Sequence, residues 1–345
     1  RYPLLGSISM TRRQQVFVLF GVLISIVFLW LALRNLHPET VLQNIGNANG
    51  FLLIIAGVWY FSAVLIISMR WGFLLKSIQK IALTKLIPLV CIGYMGNNVY
   101  PFRSGEALRI YLLRRNHQVP YIKGTTTVLI ERVFDGLVML TFILVGVTLT
   151  NVGNDNIQRV ATFATPIFMI ALGVFFTLAM RPNLLRKLSN TVEKMLPQRL
   201  AGVLDKISED IIGGLEGLRT PTDLAGTIIT SYMCWMLEAS VYLLVAIAFG
   251  MNADYPLMLV VVGTVNLAGL IPASPGQLGV FEFFVSQVLI GVGIGEDLAG
   301  TYALTVHLVI WLPVTLVGFF FLIRQGLNFS AIRKAHELET EAESV

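Results

Sequence analysis

Residues 101–115 read PFRSGEALRIYLLRR and follow directly on an apolar run. Arg103, Glu106 and Arg109 stand within seven residues here, in a chain that is 55% hydrophobic and only 13% charged. Ionisable side chains inside an apolar segment are costly, so they normally face a polar interior or one another. The stretch therefore predicts a polar site enclosed by an apolar fold.

The composition requires an apolar solvent for most of the chain. The mean hydropathy is +0.75 over 345 residues, well outside the range of soluble globular proteins. Runs of about 20 apolar residues match the ~30 Å hydrocarbon core of a bilayer, which only helices or closed barrels cross. Because barrel strands are shorter and alternate, we predict an all-α polytopic membrane protein, with residues 1–345 forming a single transmembrane domain.

Six full-length apolar runs predict transmembrane helices, at Gln15–Leu33, Phe51–Leu75, Gly124–Thr150, Val160–Met180, Leu224–Gly250 and Leu298–Ile323. Two other apolar regions, Leu86–Arg115 and Pro256–Gly293, are interrupted by the polar turns NNVYPFRSGE and NLAGLIPASPGQ. Each half of these regions has about 12 to 16 residues, or roughly 18 to 24 Å of helix, which is short for a crossing. We therefore predict two re-entrant helical hairpins.

The Lys and Arg residues sort to one side of this layout. With the N-terminus inside, all 25 fall on the cytoplasmic side except Arg34 and Arg159, which lie outside, and Arg103, Arg109 and Arg132, which lie at membrane depth. Positive charge collects in cytoplasmic loops. The pattern predicts that both termini are cytoplasmic, and it explains the net charge of +5 without a nucleic-acid partner.

The predicted elements occur in the same order twice. A span, a span, a hairpin and a span occupy residues 14–151, and the same set recurs in the opposite orientation over 158–180 and 222–325. The basic segment 181–220 joins the two sets. It is predicted either to lie along the inner membrane surface or to be a solvated connector. Residues 326–345 form a cytoplasmic polar tail. An inverted repeat with broken helices at matching positions indicates a transporter whose site lies between the repeats.

The two hairpin turns share a P-x-x-x-G-[EQ] pattern, at residues 101–106 and 272–277. In the second turn, Ser274 at the cap, Pro275 at the first helical position and Gln277 three residues after the cap predict the start of a helix. Each turn is thus expected to point the N-terminus of a half-helix, with its free N–H groups, at a shared cavity.

The segment ERVFD adds further charges at membrane depth. Glu131 and Asp135 lie four residues apart on one helical face, and Arg132 can pair with Asp135. Guanidinium groups bind phosphate bidentately and keep their charge, so the three arginines at membrane depth are candidates to hold a phosphate. Alternatively, they neutralise these two carboxylates and Glu106, and fix the hairpin to its neighbour.

Three more ionisable residues lie in apolar segments of the second half. Glu282 follows the second turn, while Glu238 and His307 fall in the fifth and sixth spans. Each is a candidate proton relay, and each is alternatively a hydrogen-bonded packing residue. The tryptophans, among them Trp71 and Trp311, are interpreted as interface anchors and packing residues.

Three segments, GNNVYPFRSGEALR, LIERVFD and LIPASPGQLGVFE, resemble the motif series of the lysylphosphatidylglycerol synthase transmembrane-region family, also called flippase-like domain proteins. The resemblance covers nearly the whole chain. The family includes bacterial and archaeal members, so it implies a prokaryotic cytoplasmic membrane. The residues to which it assigns the motifs are Asn98, Pro101, Arg103, Gly105, Glu106, Arg109, Glu131, Arg132, Asp135, Pro272, Pro275, Gly276, Gly279 and Glu282.

One family member, the multiple peptide resistance factor, has a membrane half that flips aminoacylated phosphatidylglycerol and a soluble acyltransferase-like domain that makes this lipid. Here the residues after Ile323 form a short polar tail ending ELETEAESV. The resemblance therefore implies translocation of a lipid without synthesis of lysyl lipid.

Together these features predict a flippase for a phosphate-bearing lipid, which is a phospholipid, an aminoacyl-phospholipid or a polyprenyl-phosphate carrier. The candidate substrate-binding residues are Asn98, Ser274, Gln277 and the charged motif residues, while the motif prolines and glycines form the turns. We expect a lipid partner and neither enzymatic activity, nor a cofactor, nor a metal; a homo-oligomer is left open. The alternatives are a small-solute or ion transporter and an intramembrane enzyme that acts on a lipid phosphate through paired acids.

Overall fold

The computed structural model describes residues 12–100, 104–150 and 220–326, with isolated positions between 166 and 190. Pro101 and Arg103 lie outside the described residues. Apart from the isolated positions, so do the predicted span Val160–Met180 and the connector, and the polar tail is described only at residue 326. The described parts include both helical members of each predicted hairpin.

Every regular element in those parts is helical, so the prediction of an all-α fold is confirmed. The α-helices are α1 (Arg12–Leu33), α2 (Pro38–Asn47), α3 (Gly50–Leu75), α4 (Leu83–Val99), α5 (Gly105–His117), α6 (Tyr121–Leu149), α7 (Pro221–Ala248), α8 (Tyr255–Ala268), α9 (Val280–Gly291) and α10 (Glu296–Arg324). A short 3-10 helix, Pro275–Gln277, lies between α8 and α9.

Three of the described helices, α3, α7 and α10, are long and apolar enough to cross a bilayer. Their bounds lie within three residues of the predicted ones. A fourth crossing is possible by the same measure if α1, from Leu19, and α2 form one span that bends by 79°. The chain is therefore a multi-pass membrane protein, while the count of six spans and two re-entrant hairpins stays a prediction.

Side-chain caps fix where several helices begin. The side chain of Asn49 accepts hydrogen bonds from the first N–H groups of α3, at 3.1 and 3.2 Å. Thr220 caps α7 in the same way, with Pro221 at the first helical position, and Asp254 caps α8. These residues satisfy N–H groups that have no partner within the helix.

The first hairpin, α4 and α5, packs closely because glycines face each other. Gly105 lies against the backbone of Gly93 and Gly96. The side-chain oxygen of Asn97 accepts a hydrogen bond from the Gly105 N–H at 3.0 Å, which caps the start of α5. The end of α4 and the start of α5 are thus fixed to each other.

The second hairpin, α8 and α9, opens differently from the prediction. Ser274 makes no side-chain cap, and Gly276 and Gln277 have φ angles of 68° and 58°. Those left-handed conformations interrupt the helix, so α9 begins only after them. The predicted capping box at Ser274 is wrong; instead the carboxylate of Glu282 accepts the N–H of Gly279 at 2.6 Å.

The helices pack in pairs around one core. At its centre α3 packs along α7. On one side α4 packs against α10, and on the other α8 packs against α6. α5 contacts α6, and α9 contacts α10. This arrangement brings the breaks of both hairpins towards the same region.

Candidate functional site

A cavity of about 530 Å³ lies between the two hairpins. Its lining comes from every described helix except α2, and from the turn between α8 and α9. The predicted site residues in the lining are Asn98, Gly105, Glu106, Arg109, Arg132, Pro272, Ser274, Pro275, Gly276 and Gln277. The other described ones stand behind it, and they are Glu131, Asp135, Gly279 and Glu282.

The two hairpin turns meet at this cavity. The carbonyl oxygen of Asn98, at the end of α4, is 3.3 Å from the place that a Cβ on Gly276 would occupy. The Asn98 amide donates a hydrogen bond to the Thr315 hydroxyl on α10 at 2.8 Å. The ends of two broken helices and a continuous helix therefore converge on one point.

Glu131 is the centre of a buried ion cluster. Arg109 Nη2 lies 3.2 Å from both of its carboxylate oxygens. Arg70 Nη2 approaches at 3.2 Å and Arg132 Nη2 at 3.1 Å. One carboxylate thus holds together α3, α5 and α6.

Asp135 extends the cluster to α7. Its Oδ1 accepts from Arg70 Nη1 at 2.5 Å and from the indole N–H of Trp235 at 2.6 Å, while Oδ2 lies 3.4 Å from Arg132 Nη1. The charge count assigned Arg70 to the cytoplasmic side without a partner, whereas its side chain is only 1% exposed and lies in this buried cluster. The helical spacing of Glu131 and Asp135 predicted their shared face, but their partner on α3 was missed.

Exposure divides the cluster into an inner and an outer part. Glu131 and Arg109 are 1% and 5% exposed, whereas Arg132 and Glu106 are 38% and 27% exposed and lie 3.4 Å apart. The described arginines of the cluster, Arg70, Arg109 and Arg132, balance its three carboxylates. Of these arginines, Arg132 is the most exposed, and it lines the cavity.

Trp71 positions the buried arginine. Its ring lies under the Arg109 guanidinium at 4.4 Å, and its indole N–H donates to the hydroxyl of Thr127 at 3.1 Å. A cation over an indole face is stabilised by the ring electrons. Trp71 thus orients Arg109 towards Glu131, a contact that the interpretation as a packing residue did not include.

A second polar cluster holds the start of α9. The Glu282 oxygens bond the Gly279 N–H and the His307 ring nitrogen Nδ1, each at 2.6 Å. The Phe281 ring stacks on His307 with centroids 4.1 Å apart. Glu282 is buried, so the sequence prediction that it binds substrate stays a prediction, while its observed contacts fix the turn to α10.

No group of three or more His, Cys, Asp and Glu side chains that could hold a metal ion occurs among the residues that the structure describes. The polar side chains in the cavity lining include arginines, carboxylates, amides and tyrosine hydroxyl groups. Guanidinium next to a polar cavity is suited to bind an anion such as a phosphate.

Comparison with known proteins matches the chain to one family. The model of the lysylphosphatidylglycerol synthase TM region matches residues 18–318. A UPF0104 membrane protein of Methanothermobacter thermautotrophicus is 22% identical, over 90% of this chain and 92% of its own. Another from Pyrococcus horikoshii is 21% identical, over 92% of this chain and 99% of its own. No solved structure matches the chain.

A further relative is named glycosyltransferase AglD, from Haloferax volcanii, and is 25% identical over 89% of this chain. The chain spans only about half of that protein, or 54% of its length. The expectation that the chain is not an enzyme is contradicted by this match, because a relative that covers most of the chain carries the name of an enzyme. The family match covers most of the chain, and the chain belongs to the lysylphosphatidylglycerol synthase TM region family.

Proposed function

We propose that the chain is a flippase that moves a phosphate-bearing lipid across the cytoplasmic membrane. The lipid headgroup enters the cavity between the hairpins, while its chains stay in the bilayer. Both termini face the cytoplasm, as the distribution of Lys and Arg indicates. The observation that carries the proposal is a partly exposed arginine, Arg132, in the lining of a cavity within an apolar helical fold.

Arg132 has donors left for a ligand. Its guanidinium carries five N–H donors, and the hydrogen bond that meets normal geometry is the one to Glu131 at 3.1 Å. Its approaches to Glu106 and Asp135 are both 3.4 Å. A phosphate could therefore bind Arg132 without breaking the buried pairs behind it.

The pairing of helices supports an inverted repeat. If the order span, span, hairpin, span recurs, α3 in the first repeat corresponds to α7 in the second. Exchanging the two repeats therefore leaves the observed α3–α7 contact unchanged. The contact of α4 with α10 then corresponds to that of α8 with α6, and α5 with α6 corresponds to α9 with α10. Such a repeat, with re-entrant hairpins inserted from opposite sides, gives each membrane face an equivalent route to the cavity.

The proposal is tested with proteoliposomes that contain a headgroup-labelled lipid phosphate. Arg132→Gln removes the charge, and loss of a charge-assisted hydrogen bond predicts translocation about 10-fold to 100-fold slower. The matched control is Arg34→Gln, since Arg34 stacks on Trp30 at the end of α1, away from the cavity. Equal rates in Arg132→Gln and wild type would remove the phosphate assignment.

A second candidate function is transfer of a sugar to or from a lipid phosphate held in the same cavity. It is favoured by the match to a protein named glycosyltransferase AglD. Incubation of the purified protein with a polyprenyl phosphate and a nucleotide sugar, followed by mass spectrometry of the lipids, distinguishes the two. A glycosylated lipid that forms only with the protein supports the transferase.

A further inference from the structure

One wall of the cavity is aromatic. It consists of Tyr60, Tyr94, Tyr242 and Trp311 together with Glu238, and is called the aromatic wall below. Glu238 lines the same cavity as the three tyrosines. It was predicted to lie in an apolar span, with no link to these rings.

Two polar atoms of the aromatic wall are unpaired. Tyr242 is fully buried. Its hydroxyl group and the indole N–H of Trp311 are buried without a hydrogen-bond partner in the described part of the chain. Buried polar groups are nearly always paired, so orphaned ones in a cavity lining indicate a ligand that supplies the partner.

Glu238 is the third group without a partner. It is 5% exposed and lines the cavity, and within the described ranges it makes no hydrogen bond or ion pair. A buried carboxylate of this kind requires donors. The aromatic wall therefore offers an acceptor at Glu238 and a donor at Trp311, both unused.

The aromatic wall continues from the charged cluster. Trp235, Glu238 and Tyr242 lie three and four residues apart on α7, so they share one helical face. Trp235 bonds Asp135 at the charged end, and Tyr242 is about 10 Å further along the axis. A headgroup whose phosphate binds Arg132 would reach the aromatic wall with its next group.

The unpaired atoms distinguish between ligand classes. An ammonium group could pair with Glu238, but it accepts no hydrogen bond from Trp311. A phosphate could accept from Trp311, but the ionised form of Glu238 would repel it. A hydroxyl group both donates and accepts, and a ring of CH and OH groups can also stack on aromatic side chains.

From this complementarity we infer that the aromatic wall is a subsite for a sugar attached to the lipid phosphate. The inference rests on the proposed lipid-phosphate site and narrows its substrate to a glycosylated lipid phosphate. Glu238 receives hydrogen bonds from sugar hydroxyls, and Trp311 and Tyr242 donate to their oxygens.

Equilibrium binding to the purified full chain tests the subsite, with polyprenyl phosphate, the same lipid bearing one hexose, and an aminoacyl phosphatidylglycerol as probes. Wild type should bind the hexose lipid about tenfold tighter than the sugar-free lipid. Trp311→Phe and Tyr242→Phe keep the rings and remove one donor each, so each should lower that ratio about fivefold to tenfold.

The matched controls are Trp59→Phe and Tyr255→Phe, which lose hydrogen bonds to Ser240 and to the Met236 carbonyl outside the cavity. They should keep the wild-type ratio. Equal binding of the two polyprenyl lipids by wild type, or tighter binding of the aminoacyl lipid, overturns the subsite. Equally tight binding of soluble hexose phosphate overturns its assignment to a lipid headgroup.

Translocation is measured separately in proteoliposomes, so that the two proposals fail independently. Sugar-selective binding without translocation would contradict the proposed flippase activity and support the sugar subsite. Translocation of both polyprenyl lipids at equal rates, with equal affinities, would support the flippase activity and contradict the sugar subsite.

Discussion

The two hairpin turns share one sequence pattern, but the helix that follows begins at a different point of the pattern in each. In the first, α5 begins at Gly105 itself, and one turn later Arg109 reaches Glu131. In the second, Gly276 and Gln277 adopt left-handed conformations, and α9 begins after them. The pattern marks a break in both hairpins, whereas the backbone conformation decides where the next helix starts.

The attachments of the two hairpins differ as well. The first is tied to the bundle by buried ion pairs around Glu131. The second is tied by hydrogen bonds of Glu282 to Gly279 and His307. Because loss of the Glu131 charge would leave several buried arginines without their shared partner, whereas loss of the Glu282 charge would leave a histidine that can be neutral, the first hairpin should be the more firmly held.

The largest expected effect comes from Glu131→Gln, which removes the charge shared by Arg70, Arg109 and Arg132. Breaking a buried pair by removing one partner lowers the free energy of unfolding by about 3–5 kcal/mol. Arg109 is the most affected, since Glu131 is its ion-pair partner among the described residues. Chemical unfolding of the detergent-solubilised protein measures the change.

Two further variants provide a comparison for the loss of unfolding free energy in Glu131→Gln. Glu106→Gln removes a carboxylate whose partner, Arg132, is partly exposed, and should lose less than about 1 kcal/mol. Glu282→Gln keeps an acceptor for Gly279 and is expected to lose about 1 kcal/mol. If Glu282→Gln were as destabilising as Glu131→Gln, the proposed difference between the hairpins would be wrong.

The contrast also shows what the sequence can predict. Apolar length gave the bounds of α3, α7 and α10, and helical spacing brought Glu131 and Asp135 together. Arg70 was missed because it lies near the end of an apolar run, where an arginine usually reaches the headgroups. Its carboxylate partner is 65 residues away in the chain, and no local pattern reports such a contact.

The second turn and the aromatic wall were missed for different reasons. Ser274, Pro275 and Gln277 satisfy the local signature of a helix start, but the left-handed φ at Gly276 overrides it. For the aromatic wall a signal did exist, because Trp235, Glu238 and Tyr242 recur at helical spacing in α7. A polar residue between aromatic residues on one face of an apolar span thus indicates a helical face that lines a cavity.

An intermediate effect is expected from Gly105→Ala, which sharpens the comparison at the first turn. A Cβ there would overlap the Gly93 carbonyl oxygen and stand 2.5 Å from the Asn97 nitrogen. These are backbone atoms that cannot rotate away, so α4 and α5 must separate, at about 2–3 kcal/mol of unfolding free energy. Gly136→Ala in α6, which meets open space, is the control and should leave the unfolding midpoint nearly unchanged.

Of the two glycine replacements, the smaller effect is expected from Gly276→Ala at the second turn. Its φ of 68° is unfavourable for alanine by about 1–2 kcal/mol, and the nearest atom to an added Cβ is Trp311 Nε1 at 2.8 Å. Because that atom belongs to a side chain that can turn aside, the strain stays local. Gly291→Ala, in α9 with open space around it, is the matched control. Thermal unfolding should therefore rank Gly105→Ala below Gly276→Ala in stability. The reverse order would show that the second turn, and not the first, is the less tolerant of an added side chain.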